Sequence, residues 1–255
     1  MAFINLDFYS EALGMQSEVF VVIPQRGALG EIGIGSKADG VKYKTLYLLH
    51  GLSDDHTIWM RRTSIERYAS RYGICVVMPN GHRSFYTDMK YGGNYYQYIA
   101  KELPARMREF FNVSDKREDN FIAGLSMGGY GALKVAMREP DRFAGASALS
   151  AVTDISEFCV ERSELFTAIF GEGQPVPDED DLIKLAEAHK NDEIKPEIFI
   201  GIGRQDGLYE QNVKFRKILN DNGYDLTYRE SDGVHCWEFW DEYILYTLEW
   251  MFGKK

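Results

Sequence analysis

Short apolar runs alternate along this chain with amphipathic stretches of helical period. Residues 17–24 (SEVFVVIP) alternate polar and apolar positions as a strand does, and residues 31–36 are placed to return beside it. Residues 43–49 (YKTLYLL), 74–79 (ICVVMP), 120–125 (NFIAGL), 143–150 (FAGASALS), 196–203 (PEIFIGIG) and 225–230 (DLTYRE) read as further strands. The run at 74–79 is apolar throughout, which suits a strand covered on both faces. Helical period falls over residues 57–72, 95–111, 127–138, 209–220 and 237–252, with Trp59, Ile65 and Tyr68 on the apolar side of the first. This order predicts an α/β fold: a mostly parallel sheet with helices on both faces. Active residues of such sheets sit on loops beyond the carboxyl ends of the strands. Residues 152–191 are the one excursion. They are helical and acidic, interrupted by GEGQPVP, and read as a cap-like insertion within a single domain spanning 1–255. The acidic run 178–181 reads as a solvated helix entry.

The junction of the strand at 120–125 with the helix at 127–138 carries Gly124-Leu125-Ser126-Met127-Gly128. A Gly-x-Ser-x-Gly between an apolar run and a helix is the sequence form of a nucleophile elbow, where the turn pushes the serine hydroxyl into the open. Glycines at 124 and 128 relieve the crowding of that turn, and Gly129, Gly131 and Ala132 let the helix approach the sheet. A second glycine-rich stretch, Gly27, Gly30, Gly33 and Gly35, superficially suggests a phosphate loop. No helical pattern follows it, so a glycine-rich hairpin is the better reading.

A serine hydroxyl needs a base to take its proton, and the base needs a carboxylate to hold its tautomer. An elbow predicts these in the order serine, acid, histidine, at strand ends. Of five histidines, His50, His56 and His82 precede the serine and His189 falls in the acidic insertion. His235 follows the last strand directly and satisfies both conditions. For the acid, Asp206 lies just past the strand at 196–203, and Asp154 holds a comparable place after the strand at 143–150. Asp232 is too near His235 in sequence to orient it from behind. Asp206 is therefore placed first and Asp154 second. One oxyanion donor of an elbow is the backbone N–H after the serine, here Met127. The second should come from the loop after the strand at 43–49, where His50-Gly51-Leu52 points to Leu52. No second histidine or cysteine stands at ligand spacing from His50, so no metal is expected, and nothing calls for a cofactor. Trp59, Tyr86 and Trp237, with Phe85, lie on or beside the same loops and are candidates to line a substrate pocket.

Composition narrows the partners. A 255-residue chain with 45% hydrophobic residues suffices for one large core. The net charge of −10 disfavours nucleic acid or an anionic membrane, both of which need a basic patch. No stretch approaches the roughly 20 apolar residues of a membrane span. The first 14 residues lack the basic start and apolar run of a secretory signal. Cys75, Cys159 and Cys236 are odd in number and widely spaced, so they read as free thiols, and the expected location is the cytoplasm. Cys236 beside His235 reads as a buried packing residue, with thiol sensitivity of the site as the alternative. The aromatic C-terminal helix is compatible with a homo-oligomer interface or with a place on the core.

Taken jointly and in order, LLHGLSDDHTIW, SFYTDMKYG, GLSMGGYGALK, the strand-end Asp206 and GVHCWEFW resemble the esterase D-type α/β-hydrolases. That group includes tributyrin esterases, S-formylglutathione hydrolases, and feruloyl and acetylxylan esterases; the opening FINLDFYSEALGM is most similar to the tributyrin esterases. The resemblance implies an eight-stranded hydrolase sheet and hydrolysis of short-chain acyl esters, including hydroxycinnamoyl ones. It implies Ser126 as nucleophile, His235 as base, Asp206 as its carboxylate, and the Leu52 and Met127 amides as oxyanion donors. Ser53 and Asp54 stand where S-formylglutathione hydrolases carry a cysteine, a departure from the thioesterase reading. A non-catalytic binding protein on the same fold is the reading from outside enzymology, and Ser126 and His235 in register speak against it.

Overall fold

A computed structural model describes residues 1–25 and 42–253. Its eight strands are β1 (Ala2–Ser10), β2 (Met15–Ile23), β3 (Thr45–Leu49), β4 (Cys75–Pro79), β5 (Asn120–Leu125), β6 (Gly145–Leu149), β7 (Glu197–Gly203) and β8 (Leu226–Ser231), in the order β1-β2-β4-β3-β5-β6-β7-β8. The first two are antiparallel additions at one edge, and β4 through β8 run parallel. Strands β3 to β6 are buried along their whole length. Their side chains feed two cores by alternation: Tyr47, Leu49 and Ile122 to one face, Leu46, Leu48 and Ala123 to the other.

The strand at 2–10 escaped the sequence reading. Ile4, Leu6 and Phe8 do alternate inward, but Phe3 and Tyr9 point out at 47% and 50% exposure and mask the period. The expected return strand at 31–36 and the glycine-rich hairpin around it lie outside the described residues.

Two helices expected to be continuous are interrupted. The stretch 57–72 is α1 (Ile58–Arg62) and α2 (Ile65–Ser70), parted at Thr63, which is extended. The Thr63 hydroxyl donates to the Trp59 carbonyl at 2.6 Å and accepts the Ile65 N–H at 3.1 Å, satisfying both broken ends. The stretch 95–111 is α3 (Tyr95–Gln97), a wide π turn over Tyr98–Glu102, and α4 (Leu103–Phe110). Pro104 has no N–H to give back to Ala100, and the widened turn lies just before it. Glu102 there accepts from the Ser10 hydroxyl (2.6 Å) and the Glu11 (2.8 Å) and Ala12 (3.1 Å) amides, fixing the β1–β2 turn to the helix.

The remaining helices are α5 (Met127–Arg138), α6 (Ile155–Glu161), α7 (Ser163–Phe170), α8 (Leu182–Ala188), α9 (Tyr209–Asp221) and α10 (Trp237–Phe252). Helix α10 lays Phe239, Trp240, Tyr243, Ile244 and Leu248 into the second core, so its aromatic face covers the sheet. Among the described residues, no helix is long and apolar enough to cross a membrane.

Helix α8 packs on α5 and α9. Asp181 caps it by accepting the Ile183 and Lys184 amides, as a helix entry should. Its neighbour Asp180 corrects the expectation of a solvated run. It is buried and meets Lys134 of α5 at 2.8 Å. The Lys134 ammonium, closed to solvent, also donates to the Thr87 hydroxyl (2.5 Å) and the Phe85 carbonyl (3.3 Å). Burial pulls this ammonium below its usual value and Asp180 opposes the pull. One buried ion pair thus ties residues 178–181 and the 80–93 loop to α5.

Candidate active site

Strand β5 ends at Leu125 and α5 begins at Met127, leaving Ser126 alone at the turn with φ 54° and ψ −118°. A serine in this region is strained, at a cost on the order of 1–3 kcal/mol, and persists where the surroundings over-determine it. They do so through close backbone approach. A Cβ on Gly124 would stand 2.4 Å from the Gly128 carbonyl group, and one on Gly128 would stand 2.6 Å from the Leu49 oxygen. The first turn of α5 therefore rests on the end of β3, and the loop after β3 sits beside the serine. The Ser126 amide donates to the Leu149 carbonyl at 2.8 Å, anchoring the turn to β6.

Beyond β7 and β8, two loops are clasped together. A Cβ on Gly203 would meet the Gly233 oxygen at 2.3 Å. Gln205 then bonds Gly233 twice, its amide to the Gly233 carbonyl at 3.0 Å and its side-chain oxygen from the Gly233 N–H at 2.7 Å. The clasp sets His235 Nδ1 at 2.9 and 3.2 Å from the two Asp206 oxygens. Asp206 also accepts the Leu208 amide at 2.9 Å. Burial would raise the Asp206 carboxyl, but the hydrogen bond and charge of His235, the Leu208 amide and the Ser150 hydroxyl outweigh it and hold it below its usual value. An ionised carboxylate only accepts, so Nδ1 carries a proton and donates it to Asp206. The Asp206 side chain is closed to solvent and that of His235 is 37% exposed, so the ring is reachable. Trp240 stands edge-on to it at 4.8 Å and donates its indole N–H to Ser150 at 3.1 Å.

The two other acids are engaged elsewhere. Asp154 caps α6, accepting the Ser156 and Glu157 amides at 3.1 and 3.4 Å. Asp232 pairs with Arg204 at 3.2 Å on the surface.

In the loop after β3, His50 is buried and neutral. Its Nε2 accepts the Gly81 N–H at 2.9 Å, so Nδ1 carries the proton and donates to the Gly51 carbonyl at 2.7 Å. Burial pulls this ring down to about 4, against the Gly51 carbonyl and Asp55. Gly51 backs onto the serine turn: a Cβ there would lie 2.7 Å from Leu125 Cδ1 and 3.8 Å from Ser126 Cβ.

Ser126, Asp206, His235, Gly51 and Leu52 border one open cleft of about 1260 Å³. Trp237 lines it too, as expected, and so does Phe85. Trp59 and Tyr86 do not, which corrects the expectation for both. They are 1% and 0% exposed and sit behind the cleft, where their polar tips hold the loop after β3. Trp59 donates to the Leu49 carbonyl at 3.0 Å and Tyr86 to the His50 carbonyl at 2.9 Å. Trp59 also meets the Trp237 ring edge-on at 5.1 Å, supporting the residue that does face the cleft. Cys236, expected as packing, is half-buried and on the cleft wall. The sequence reading missed Val152, Phe158, Leu208, Arg62, Arg83 and Arg162, which complete much of the wall. Helical period marks Phe158 as apolar but does not say which surface it meets.

An eight-stranded, mostly parallel sheet with a strained serine between its central strand and the following helix is the α/β-hydrolase architecture. The chain belongs to the Esterase family, whose model matches residues 10–251. It is 30% identical to an acetyl esterase of Caldicellulosiruptor saccharolyticus over 98% of both chains. The fluorophosphonate-binding serine hydrolase F of Staphylococcus aureus, solved with substrate bound, superposes with a TM-score of 0.87 at 36% identity over 99% of each chain. The S-formylglutathione hydrolase of the same organism, solved as apoenzyme, gives 0.86 at 36% identity over 98% of each. The protein is a hydrolase of this esterase family.

Proposed function

We propose that this esterase cleaves short-chain acyl esters through an acyl-enzyme on Ser126, with His235 as base and Asp206 as its orienting carboxylate. The observation that carries the reading is the His235–Asp206 bond at 2.9 Å, bordering the same cleft as a serine held at positive φ. Ser126 Oγ attacks the ester carbonyl carbon as its proton passes to His235 Nε2, and the Asp206 carboxylate stabilises the imidazolium. The Leu52 and Met127 amides receive the oxyanion. Collapse expels the alcohol, which takes the His235 proton. Water then attacks the acyl carbonyl carbon and gives its proton to His235, and collapse releases the acid as that proton returns to Ser126 Oγ.

The likeness to an acetyl esterase supports a small acyl group, as in the tributyrin esterases. Segment 152–191 serves as a cap whose Phe158 and Val152 border the acyl chain, and larger hydroxycinnamoyl groups test its capacity. Three free thiols support a reducing, cytoplasmic location. A second reading, hydrolysis of a glutathione thioester, is favoured by the likeness to an S-formylglutathione hydrolase.

The test is hydrolysis of p-nitrophenyl acetate and butyrate by wild type beside Ser126→Ala. A burst in the wild type and a loss on the order of 10³-fold or more in the variant are expected. Equal rates would remove Ser126 as nucleophile. Inactivity of both would return the binding-protein reading. A panel of tributyrin, methyl ferulate and S-formylglutathione then separates ester from thioester preference.

A further inference from the structure

Behind the loop after β3, His50, Gly81 and Tyr86 hold it from positions that do not border the cleft. The Gly51 carbonyl accepts from His50 Nδ1–H at 2.7 Å and from the Asp54 amide at 3.2 Å. In a trans peptide the carbonyl and the following N–H point to opposite sides, so a carbonyl drawn toward buried His50 turns the Leu52 N–H the other way. That other way is toward the cleft, which Leu52 lines and which Gly51 joins to Ser126.

The next peptide back is fixed as well. The His50 carbonyl accepts the Tyr86 hydroxyl at 2.9 Å, and His50 Nε2 accepts the Gly81 N–H at 2.9 Å. Tyr86 has little freedom. A Cβ on Gly81 would fall 2.2 Å from its ring and one on Gly131 2.4 Å, so two glycines form the slot that receives it. Its backbone lies at φ 52°, beside Phe85 at 50°, with His82 at 47° in the same loop. Three non-glycine residues in the left-handed region of one short loop are unusual, and such strain collects where a precise geometry is required. Bulk alone does not account for the phenol, because its hydroxyl is directed to a single carbonyl.

We propose that His50 and Tyr86 are positioning residues of the esterase reaction, which through the Gly51 and His50 carbonyls aim the Leu52 amide at the developing oxyanion. Neither touches substrate. The inference rests on the acyl-enzyme reading, and it explains why the 82–86 loop retains its strain.

Tyr86→Phe removes the hydroxyl and keeps the ring. Two readouts separate aiming from mere packing: kcat against KM on p-nitrophenyl butyrate, and the inhibition constant of an alkyl trifluoromethyl ketone, whose hemiketal on Ser126 carries an oxyanion. The expected result is a kcat 10- to 100-fold lower, a KM within about twofold, and an inhibition constant raised by the same factor as kcat falls, because the donor serves the transition state and not the ground state. An unchanged kcat and inhibition constant would overturn the proposal, as would a variant that loses thermal stability with inhibition unaltered. His50→Asn supplies a second test should Tyr86→Phe fold poorly. Asparagine can place an N–H where Nδ1 stood, so His50→Asn should retain several-fold more kcat than His50→Leu; equal losses would contradict the assignment. Wild type itself controls for the underlying reading. If the trifluoromethyl ketone fails to inhibit wild type, the acyl-enzyme reading falls; if it inhibits wild type and Tyr86→Phe equally, only the positioning role falls.

Discussion

The cleft has two walls of different construction. On the side of β3, β5 and α5, backbone rests on backbone, Gly124 on Gly128 and Gly128 on Leu49 and His50, while Gly51 rests on the Leu125 side chain. On the side of α6 and α7, side chains meet solvent. Glu157 and Arg162 are exposed, Phe158 is half-buried, and Glu157 has a surface lysine, Lys214, at 3.6 Å. The first wall leaves no room for a methyl group, whereas the second can exchange side chains without moving a strand. On the proposed mechanism, reaction geometry and substrate fit fall to separate parts of the molecule.

The buried Lys134–Asp180 pair spans this divide, since Lys134 is on α5 and Asp180 belongs to the acidic segment 152–191. Asp180→Ala would leave an ammonium buried without its carboxylate, and a loss of about 3–5 kcal/mol in unfolding free energy is expected. A shift below 1 kcal/mol in chemical denaturation would mean that the insertion is hung loosely and the comparison is overdrawn. The double replacement Lys134→Met, Asp180→Leu should recover most of the loss.

His50 tests the rigid wall by pH. Its ring titrates near 4 in the folded protein and near 6.5 when unfolded. Between those values the unfolded chain binds a proton that the native state refuses, so stability falls as pH drops through the window. The fall attributable to this ring is about 3 kcal/mol by pH 4, and it is absent above pH 6.5. His50→Asn should flatten that part of the profile; parallel profiles for variant and wild type would contradict a buried neutral ring.

The soft wall gives the smallest effect. Phe158→Ala should shift the ratio of butyrate to acetate turnover by about 1–3 kcal/mol at most. Acetate kcat should stay within about twofold. A drop in both substrates alike would place Phe158 with the reaction geometry instead.

The same division decided what the sequence could reveal. The turn around Ser126 and the helices 127–138 and 237–252 were legible to the residue, because backbone crowding demands glycine at fixed spacings and a sheet-facing helix shows its period. Asp206 and His235 followed from strand ends and chain order. Trp59 and Tyr86 were misplaced because an aromatic ring with one polar tip fits a core behind a loop as well as a pocket in front of it. Asp180 was misread because a run of acids does not disclose a lysine brought to it from α5. The strand at 2–10 was hidden by aromatics on its outer face.

The most direct measurement is rapid-quench mass spectrometry of the protein mixed with p-nitrophenyl butyrate. The expected result is one butyryl adduct that forms within the burst, maps to the peptide containing Ser126, and decays at the rate of turnover. Continued turnover with no adduct, or with the acyl group on another residue, would contradict the central claim.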